Sequence, residues 1–281
     1  MPRLLPLIPE HISYVEVFGG AGSLLLNKPP SRIEVFNDLD GDLVNLFEVI
    51  RDDADAFLKR TDFLLYSREL YHRWIHDLDD DAQSEDRVER AVRFWYVIRS
   101  AFGAQPGKGW AFAREHPRNS ARVVQNSLAN IRVIHDRLRN VEIDHLDFRQ
   151  CIRNRDASST FLFLDPPYLD VKGYRAGNFA LEDHRELASI LHDAKGKWLM
   201  TVGDHPKIRK LYANFRKSSV TSPIAVEKVI GGKRRRLKHL LIRNYELPKQ
   251  PLYTCTASEP SFMDLFGLED TGWPADILPD S

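Results

Sequence analysis

The sequence predicts an α/β protein built on a mostly parallel sheet, and three observations carry that expectation. The run Thr160-Phe161-Leu162-Phe163-Leu164 reads as a fully buried strand, which the prolines of Asp165-Pro166-Pro167-Tyr168 bring to a stop. Tyr14-Val15-Glu16-Val17-Phe18 reads as a second strand and runs straight into Gly19-Gly20-Ala21-Gly22-Ser23. On both sides of a long helical block, strand-like runs alternate with helix-period segments, as in sheets flanked by helices.

Taken in order, the first strand and its glycine turn lead to a helix-like segment at Leu24-Leu25-Leu26. Arg32–Asp38 is the next strand and ends in an acid, Asp38. Strand, glycine turn, helix, strand, acid is a dinucleotide- or nucleoside-binding pattern: the glycines let the backbone approach a ligand, and the acid holds ribose hydroxyls. Asp42–Ile50 continues as a helix, with Leu43, Leu46, Phe47 and Ile50 on one face. From Asp52 to Leu138 the chain is helical, aromatic and charged with no clear strand, and reads as an inserted subdomain. Within it, Glu85–Arg99 and Asn126–Leu138 are predicted helices, Ala101–Arg114 a loop, and Trp74 and Trp95 core residues.

Alternation then resumes. Val141–Ile143 is a strand leading to Asp147-Phe148, Glu182–His192 a helix, Trp198–Val202 a strand and Lys207–Phe215 a helix. Ala225–Ile230 and Leu237–Arg243 read as the two strands of a hairpin around Gly231-Gly232-Lys233-Arg234-Arg235. The expected domains are 1–51 with 140–248, an insert at 52–139, and a poorly ordered acidic tail at 249–281. Within the tail, Phe262, Leu265 and Phe266 are a candidate docking motif.

Composition narrows the function classes. At 281 residues and 43% apolar, the chain can bury a large core. No stretch is long and apolar enough to span a membrane, and the start is too short and proline-broken for a secretory signal. Cys151 and Cys255 lack metal-type spacing and fit a reducing cytoplasm. His184, His192 and His205 lack ligand-like pairing and are expected at the surface or at helix ends; Asp79-Asp80-Asp81 reads as a solvated loop.

The net charge of zero conceals an asymmetry. From Lys249 onward there is one Lys against six acids, leaving the body net positive. Gln105–Arg139 holds seven Lys/Arg against two acids, and Lys228–Arg243 holds seven against none. Localised basic segments of this kind suit a phosphate backbone.

The motif Asp165-Pro166-Pro167-Tyr168 leaves a carboxylate, a rigid turn and an aromatic ring at a strand's carboxyl end, where open α/β sheets bind ligands. Such a group suits an exocyclic amine on a planar ring. Asp165 and the Pro166 carbonyl accept the two amine hydrogens, and Tyr168 stacks on the ring; a plain proline turn is the alternative.

Taken together, Glu16-Val17-Phe18-Gly19-Gly20-Ala21-Gly22-Ser23, Asn37-Asp38, Asp147-Phe148, Asp165-Pro166-Pro167-Tyr168 and the closing Asn244-Tyr245 resemble the Dam-like N6-adenine DNA methyltransferase family over roughly Leu4–Tyr245. The resemblance implies a Rossmann-like S-adenosylmethionine-dependent methyltransferase sheet with an inserted helical target-recognition subdomain. It implies cofactor contacts from Phe18, Gly20, Gly22, Asp38, Asp147 and Phe148, and a target-adenine grip by Asp165, Pro166, Pro167 and Tyr168. Two departures stand out: Val17 occupies a position usually held by Pro, and the Gly-Gly-Lys segment usual in the family has no counterpart upstream of Leu4.

The implied partner is double-stranded DNA, with a cognate restriction endonuclease as a further candidate and a monomeric chain. Lys108, Arg114, Arg118 and Asn119 in the insert, and Lys233, Arg234, Arg235 and Arg236 in the hairpin, are candidate DNA contacts. Cytosine N4 remains open as the methylated amine, as does a DNA-binding relative with impaired catalysis.

Overall fold

A computed structural model describes residues 2–79, 85–102, 109–112, 119–169, 175, 177, 179–223 and 236–253. Their strands are β1 (Ser13–Glu16), β2 (Ile33–Asn37), β3 (Val141–Asp144), β4 (Thr160–Leu164), β5 (Lys197–Gly203), β6 (Arg216–Pro223) and β7 (Arg236–Arg243). The helices are α1 (Ser23–Asn27), α2 (Gly41–Thr61), α3 (Arg68–Asp79), α4 (Arg87–Ser100), α5 (Ser120–Leu128), α6 (Ile131–Leu138), α7 (Phe148–Arg155), α8 (Leu181–Asp193) and α9 (Pro206–Leu211).

The strands form one sheet in the order β3-β2-β1-β4-β5-β7-β6. β1 through β5 run parallel, whereas β7 runs antiparallel to both β5 and β6. The strand order reverses between β1 and β4, and the carboxyl ends at such a switch point flank the crevice where α/β sheets take their ligands. β4 lies inside the sheet with all five residues buried, which is why its sequence is uniformly apolar after Thr160.

One face of the sheet presents Val15, Val35, Leu162, Leu164, Trp198 and Met200, which share a core with Phe148, Cys151 and Ile152 of α7, Leu187 and Leu191 of α8, and Ile208 of α9. The alternate residues Tyr14, Phe36, Phe161, Phe163 and Leu199 are buried as well. On that second face the backbone N–H of Leu25 in α1 donates to Glu16 at 2.9 Å. Tyr245 reaches back across the chain to donate to the Leu7 carbonyl at 2.7 Å.

The described residues divide into two compact units, 2–40 with 141–253, and 41–140. The second unit is helical. Its core is Phe57, Tyr71, Trp74, Trp95 and Tyr96, so both expected core tryptophans are buried. Asp86 caps α4 by accepting from the Val88 and Glu89 N–H groups. α2 is kinked at Asp53 (φ −133°, ψ 34°).

Several expectations need correcting. Asn126–Leu138 is two helices, because Ala129-Asn130 make a turn between α5 and α6. Ser127, Ile131, Ile134 and Leu138 are buried on both sides of that turn, so the apolar period runs through the break and conceals it. The strand on the outer side of β7, where Ala225–Ile230 is expected, is Arg216–Pro223, which carries no strand-like periodicity; Ala225–Ile230 lies outside the described residues. β6 is an edge strand whose described side chains bury only Val220 and Ser218, so it carries no apolar alternation to detect. The helix expected at Lys207–Phe215 ends at Leu211, where Tyr212 turns into the core. Asp147-Phe148, beyond the strand expected at Val141–Ile143, opens a helix, α7, for which the sequence carries no separate expectation. His184 lies in the first turn of α8, at a helix end as expected, but is fully buried rather than at the surface.

Candidate active site

The carboxyl ends of β1, β2, β3 and β4 carry the first set of expected site residues, and Asn37 ties three of them together. Its side-chain amide donates to the Val17 carbonyl at 2.8 Å and the Leu146 carbonyl at 3.0 Å, and its oxygen accepts from Leu146 N–H at 2.9 Å. Asn37 therefore fixes the segments that follow β1 and β3 relative to the end of β2. Phe18, Asp38 and Asp147 sit one residue beyond these latched positions.

The glycine turn is built for close approach. Gly20 and Gly22 adopt positive φ values of 50° and 62°, a region that favours glycine. A side chain on Gly20 would meet nothing within 4 Å, whereas one on Gly19 would overlap the buried Phe36 ring. The turn thus packs tightly on its inner side and stays open on its outer side. Asp38 braces it: one carboxylate oxygen accepts from Gly20 N–H at 2.8 Å and the other from Asp40 N–H at 2.8 Å. Burial raises the Asp38 pKa against these two bonds.

Asp147 and Phe148 follow β3 and lie beside Phe18. Asp147 caps α7 by accepting from Arg149 N–H at 2.9 Å, and its second oxygen pairs with the Arg149 guanidinium at 2.9 Å. Arg149 also pairs with Asp183 at 2.8 Å and with Glu186, both on α8. Its guanidinium carbon lies 4.3 Å from the Phe148 ring centroid. Phe148 stacks on Phe18 at 5.7 Å, and Phe179 closes edge-on against Phe18 at 5.6 Å. His184 meets Phe179 edge-on at 4.7 Å; burial drives its pKa down to about 4, so the ring is neutral.

The Asp165–Tyr168 segment follows β4, the neighbour of β1, and β5 holds it at both ends. Thr201 donates its hydroxyl to an Asp165 carboxylate oxygen. Two residues further along the same face of β5, Gly203 lies against the Tyr168 ring. Burial pushes the Asp165 pKa up to about 6 in spite of the Thr201 bond. Glu16 is buried one strand away, where desolvation raises its pKa to about 8 against hydrogen bonds from Tyr14 and Leu25; Asp165 adds to the rise. The arrangement keeps Glu16 largely protonated at neutral pH and leaves Asp165 as the ionised carboxylate of the pair.

The structure thus brings the expected cofactor residues Phe18, Gly20, Gly22, Asp38, Asp147 and Phe148 to one end of the sheet, beside Asp165, Pro166, Pro167 and Tyr168. Thr201, Gly203, Arg149 and Asn37 are additional positioning groups. For Thr201 the available signal was a lone hydroxyl inside the apolar run Trp198–Val202.

The candidate DNA contacts are less completely described. Asn119 caps α5, its side-chain oxygen accepting from Arg122 N–H at 3.1 Å. Lys108, Arg114, Arg118, Lys233, Arg234 and Arg235 lie outside the described residues; Arg236 is the first residue of β7 and its side chain lies outside them too. In the helical unit, Tyr66, Trp110 and Phe112 stack in sequence, with centroid spacings of 4.9 and 6.0 Å. The exposed Arg68 guanidinium lies 4.9 Å from Trp110 and 5.4 Å from Phe112. In the segments between the helices of this unit, Phe63 (93%), Leu65 (77%) and Phe112 (54%) are exposed. Among the described residues there is no cluster that could hold a metal ion, and no helix is long and apolar enough to cross a membrane.

Comparison with known proteins identifies the family. Residues 1–226 match the family model of the D12 class N6 adenine-specific DNA methyltransferases. The chain is 28% identical over 262 residues to the type II methyltransferase M.CviBI of Paramecium bursaria Chlorella virus NC1A, covering 87% of this chain and 95% of the relative. It is 26% identical over 259 residues to the type II methyltransferase M.MjaIII of Methanocaldococcus jannaschii, covering 83% and 88%. Against the DNA adenine methylase of Escherichia coli K12 the identity is 23% over 193 residues, covering 65% and 68%. Of the two exocyclic amines left open by the sequence, adenine N6 is therefore the one methylated. The chain belongs to the D12 class N6 adenine-specific DNA methyltransferases.

Proposed function

We propose that this DNA methyltransferase takes its methyl group from S-adenosylmethionine and transfers it to an adenine flipped out of duplex DNA, with Asp165, Pro166 and Tyr168 holding the base. The observation that carries the reading is the side-by-side placement of the open glycine turn after β1 and the Asp165 carboxylate after β4, on neighbouring paired strands. The residues fit the donor. The outer face of Gly20 leaves room for close backbone approach, Asp38 suits ribose hydroxyls, and Asp147 with the Phe18–Phe148 pair suits a purine edge and face. When bound, the donor supplies an electrophilic sulfonium methyl group.

The chemistry required of the protein is modest. The adenine amine is a poor nucleophile because its lone pair is delocalised into the ring. Accepting its two hydrogens at Asp165 and the Pro166 carbonyl draws the nitrogen toward tetrahedral geometry and frees the lone pair. Asp165 then opposes the positive charge that develops on nitrogen, and its raised pKa suits it to receive the surplus proton. Most of the remaining acceleration is positional. Flipping the base costs a few kcal/mol, and stacking on Tyr168 returns about 1–3 kcal/mol.

The helical unit is the proposed target-recognition subdomain. The Arg68–Trp110–Phe112 stack offers cation and ring faces to DNA, alongside Lys108, Arg114, Arg118, Asn119 and the hairpin basics Lys233–Arg236. Binding to phosphates through such groups makes affinity salt-dependent. A monomeric, cytoplasmic enzyme, working beside a cognate restriction endonuclease, is the setting this reading favours.

The test uses tritiated S-adenosylmethionine with unmethylated amplified duplex DNA. Label should enter N6-methyladenine. Asp165→Ala should abolish transfer while cofactor binding, measured by calorimetry, stays within a few-fold of the parent. Loss of cofactor binding in that variant would overturn the division of roles.

A further inference from the structure

Tyr168 is held at two points by one cross-strand pair. Gly203 of β5 and His239 of β7 are directly opposite one another in the antiparallel ladder. The Tyr168 hydroxyl lies 2.8 Å from His239 Nδ1, and the two rings meet edge-on at 5.7 Å and 69°. A Cβ on Gly203 would come within 3.2 Å of Tyr168 Cδ2, with Cγ and Cβ at 3.6 and 3.8 Å. Gly203 is not among the positive-φ glycines, so the turn geometry that calls for glycine at Gly20 does not apply to it. Its missing side chain instead makes room for the aromatic ring.

His239 sits at the head of the apolar run of β7. Leu240, Leu241 and Ile242 follow it, and it is only 6% exposed. Burial lowers its pKa, so the imidazole is neutral at working pH and offers one donor and one acceptor nitrogen. A neutral imidazole and a phenol hydroxyl form a hydrogen bond whichever of the two donates. A buried group of this kind costs stability unless it is bonded, which points to a specific use for the contact. Thr201 bonds Asp165 from the same face of β5, so both ends of the Asp165–Tyr168 segment are fixed by the β5–β7 ladder.

We propose that His239 is a positioning residue for transfer: with Gly203 it fixes the plane of Tyr168 so that the ring face meets the flipped adenine. The inference rests on the reading of Tyr168 as the stacking group. A phenol ring has two freely rotating side-chain angles, and an unanchored one spends part of its time edge-on to the base pocket. Anchoring the hydroxyl removes that freedom before DNA arrives, which is the usual gain from preorganisation.

A double-mutant cycle tests this, using tritiated S-adenosylmethionine and unmethylated amplified DNA. His239→Ala and Tyr168→Phe should each lower kcat/KM for DNA about 3- to 10-fold, the worth of one hydrogen bond, with the cofactor KM unchanged. The double variant should be no worse than either single one. His239→Asn, whose side-chain amide places a polar atom near the former Nδ1 position, should restore most of the loss. Additive losses, or a failure of His239→Asn to rescue when both variants melt at the parent temperature, would overturn the proposal. If His239→Ala melts early, Tyr168→Phe and His239→Asn carry the test. Tyr168→Ala separates the two levels: if it leaves transfer intact, the stacking role itself is wrong; if it cripples transfer while His239→Ala is silent, only the positioning role is.

Discussion

Replacing Asp165 by Asn should make the free protein more stable while damaging its chemistry. The ordinary pKa of this carboxyl is 3.8, and burial raises it to about 6. A shift of about two units corresponds to about 3 kcal/mol held against the ionised form. Asp165 is partly exposed, so solvent screening trims that figure, and about 1–2 kcal/mol is expected. Asn keeps an oxygen for the Thr201 hydroxyl and discards the charge. The folded state binds the Asp165 proton more tightly than the unfolded chain does, so the penalty is present above the folded pKa of about 6 and vanishes below the unfolded value. The variant's advantage should therefore be full at pH 8, shrink from pH 6 downward and be mostly lost by pH 4. Thermal melts at these three pH values measure it; at about 2–4 °C per kcal/mol the gap at pH 8 is a few degrees. A variant no more stable than the parent at pH 8, or an advantage that persists unchanged at pH 4, would refute the reasoning.

Three further outcomes follow from the same geometry. On the role proposed for Asp165, transfer needs the ionised carboxylate, so kcat/KM for DNA should fall about tenfold per pH unit below about 6 in the parent; an acid limb that survives in Asp165→Asn belongs to another group. Gly19→Ala should cost about 1–3 kcal/mol and weaken cofactor binding, since the new methyl overlaps the buried Phe36 ring; a melt unchanged within a degree would show that the turn can move aside. Glu34→Ala should cost about 3–5 kcal/mol by stranding Lys28, whose side chain is 0% exposed, and urea titration reads the loss directly. The Ser31 and Pro29 oxygens that also accept from Lys28 should hold the loss at the lower end of that range.

The parts of this molecule that were legible in the sequence are those whose signals are local. A buried parallel strand must be apolar along its whole length, so β4 announces itself; a turn that presents backbone to a ligand must carry glycine; and a strand that ends at Pro166-Pro167 cannot continue. The less legible parts depend on partners far along the chain. Nothing near Thr201, Gly203 or His239 says that they converge on Asp165 and Tyr168, because that convergence is set by the register of β5 against β7. β6 escaped detection because an edge strand needs almost no apolar pattern, and His184 because a buried neutral histidine leaves no local mark. The division of α5 from α6 was hidden by an apolar period that carries through the turn.

The pairing of β1 has a consequence for how the chain reaches its working form. Ser13 pairs with Ile33 on one side and with Thr160 on the other, so one neighbour is about 20 residues away and the other about 150. The helical unit lies within that longer interval, and its contacts are closer in sequence. Short-range contacts close first, because each carries a smaller loop entropy. The helical unit should therefore be protected from amide exchange early in refolding, with β1 and β4 joining late. Asp165 and the glycine turn would then meet only in the last stage, and a chain still emerging from the ribosome would hold a formed helical unit before it held the paired strand ends of the candidate site.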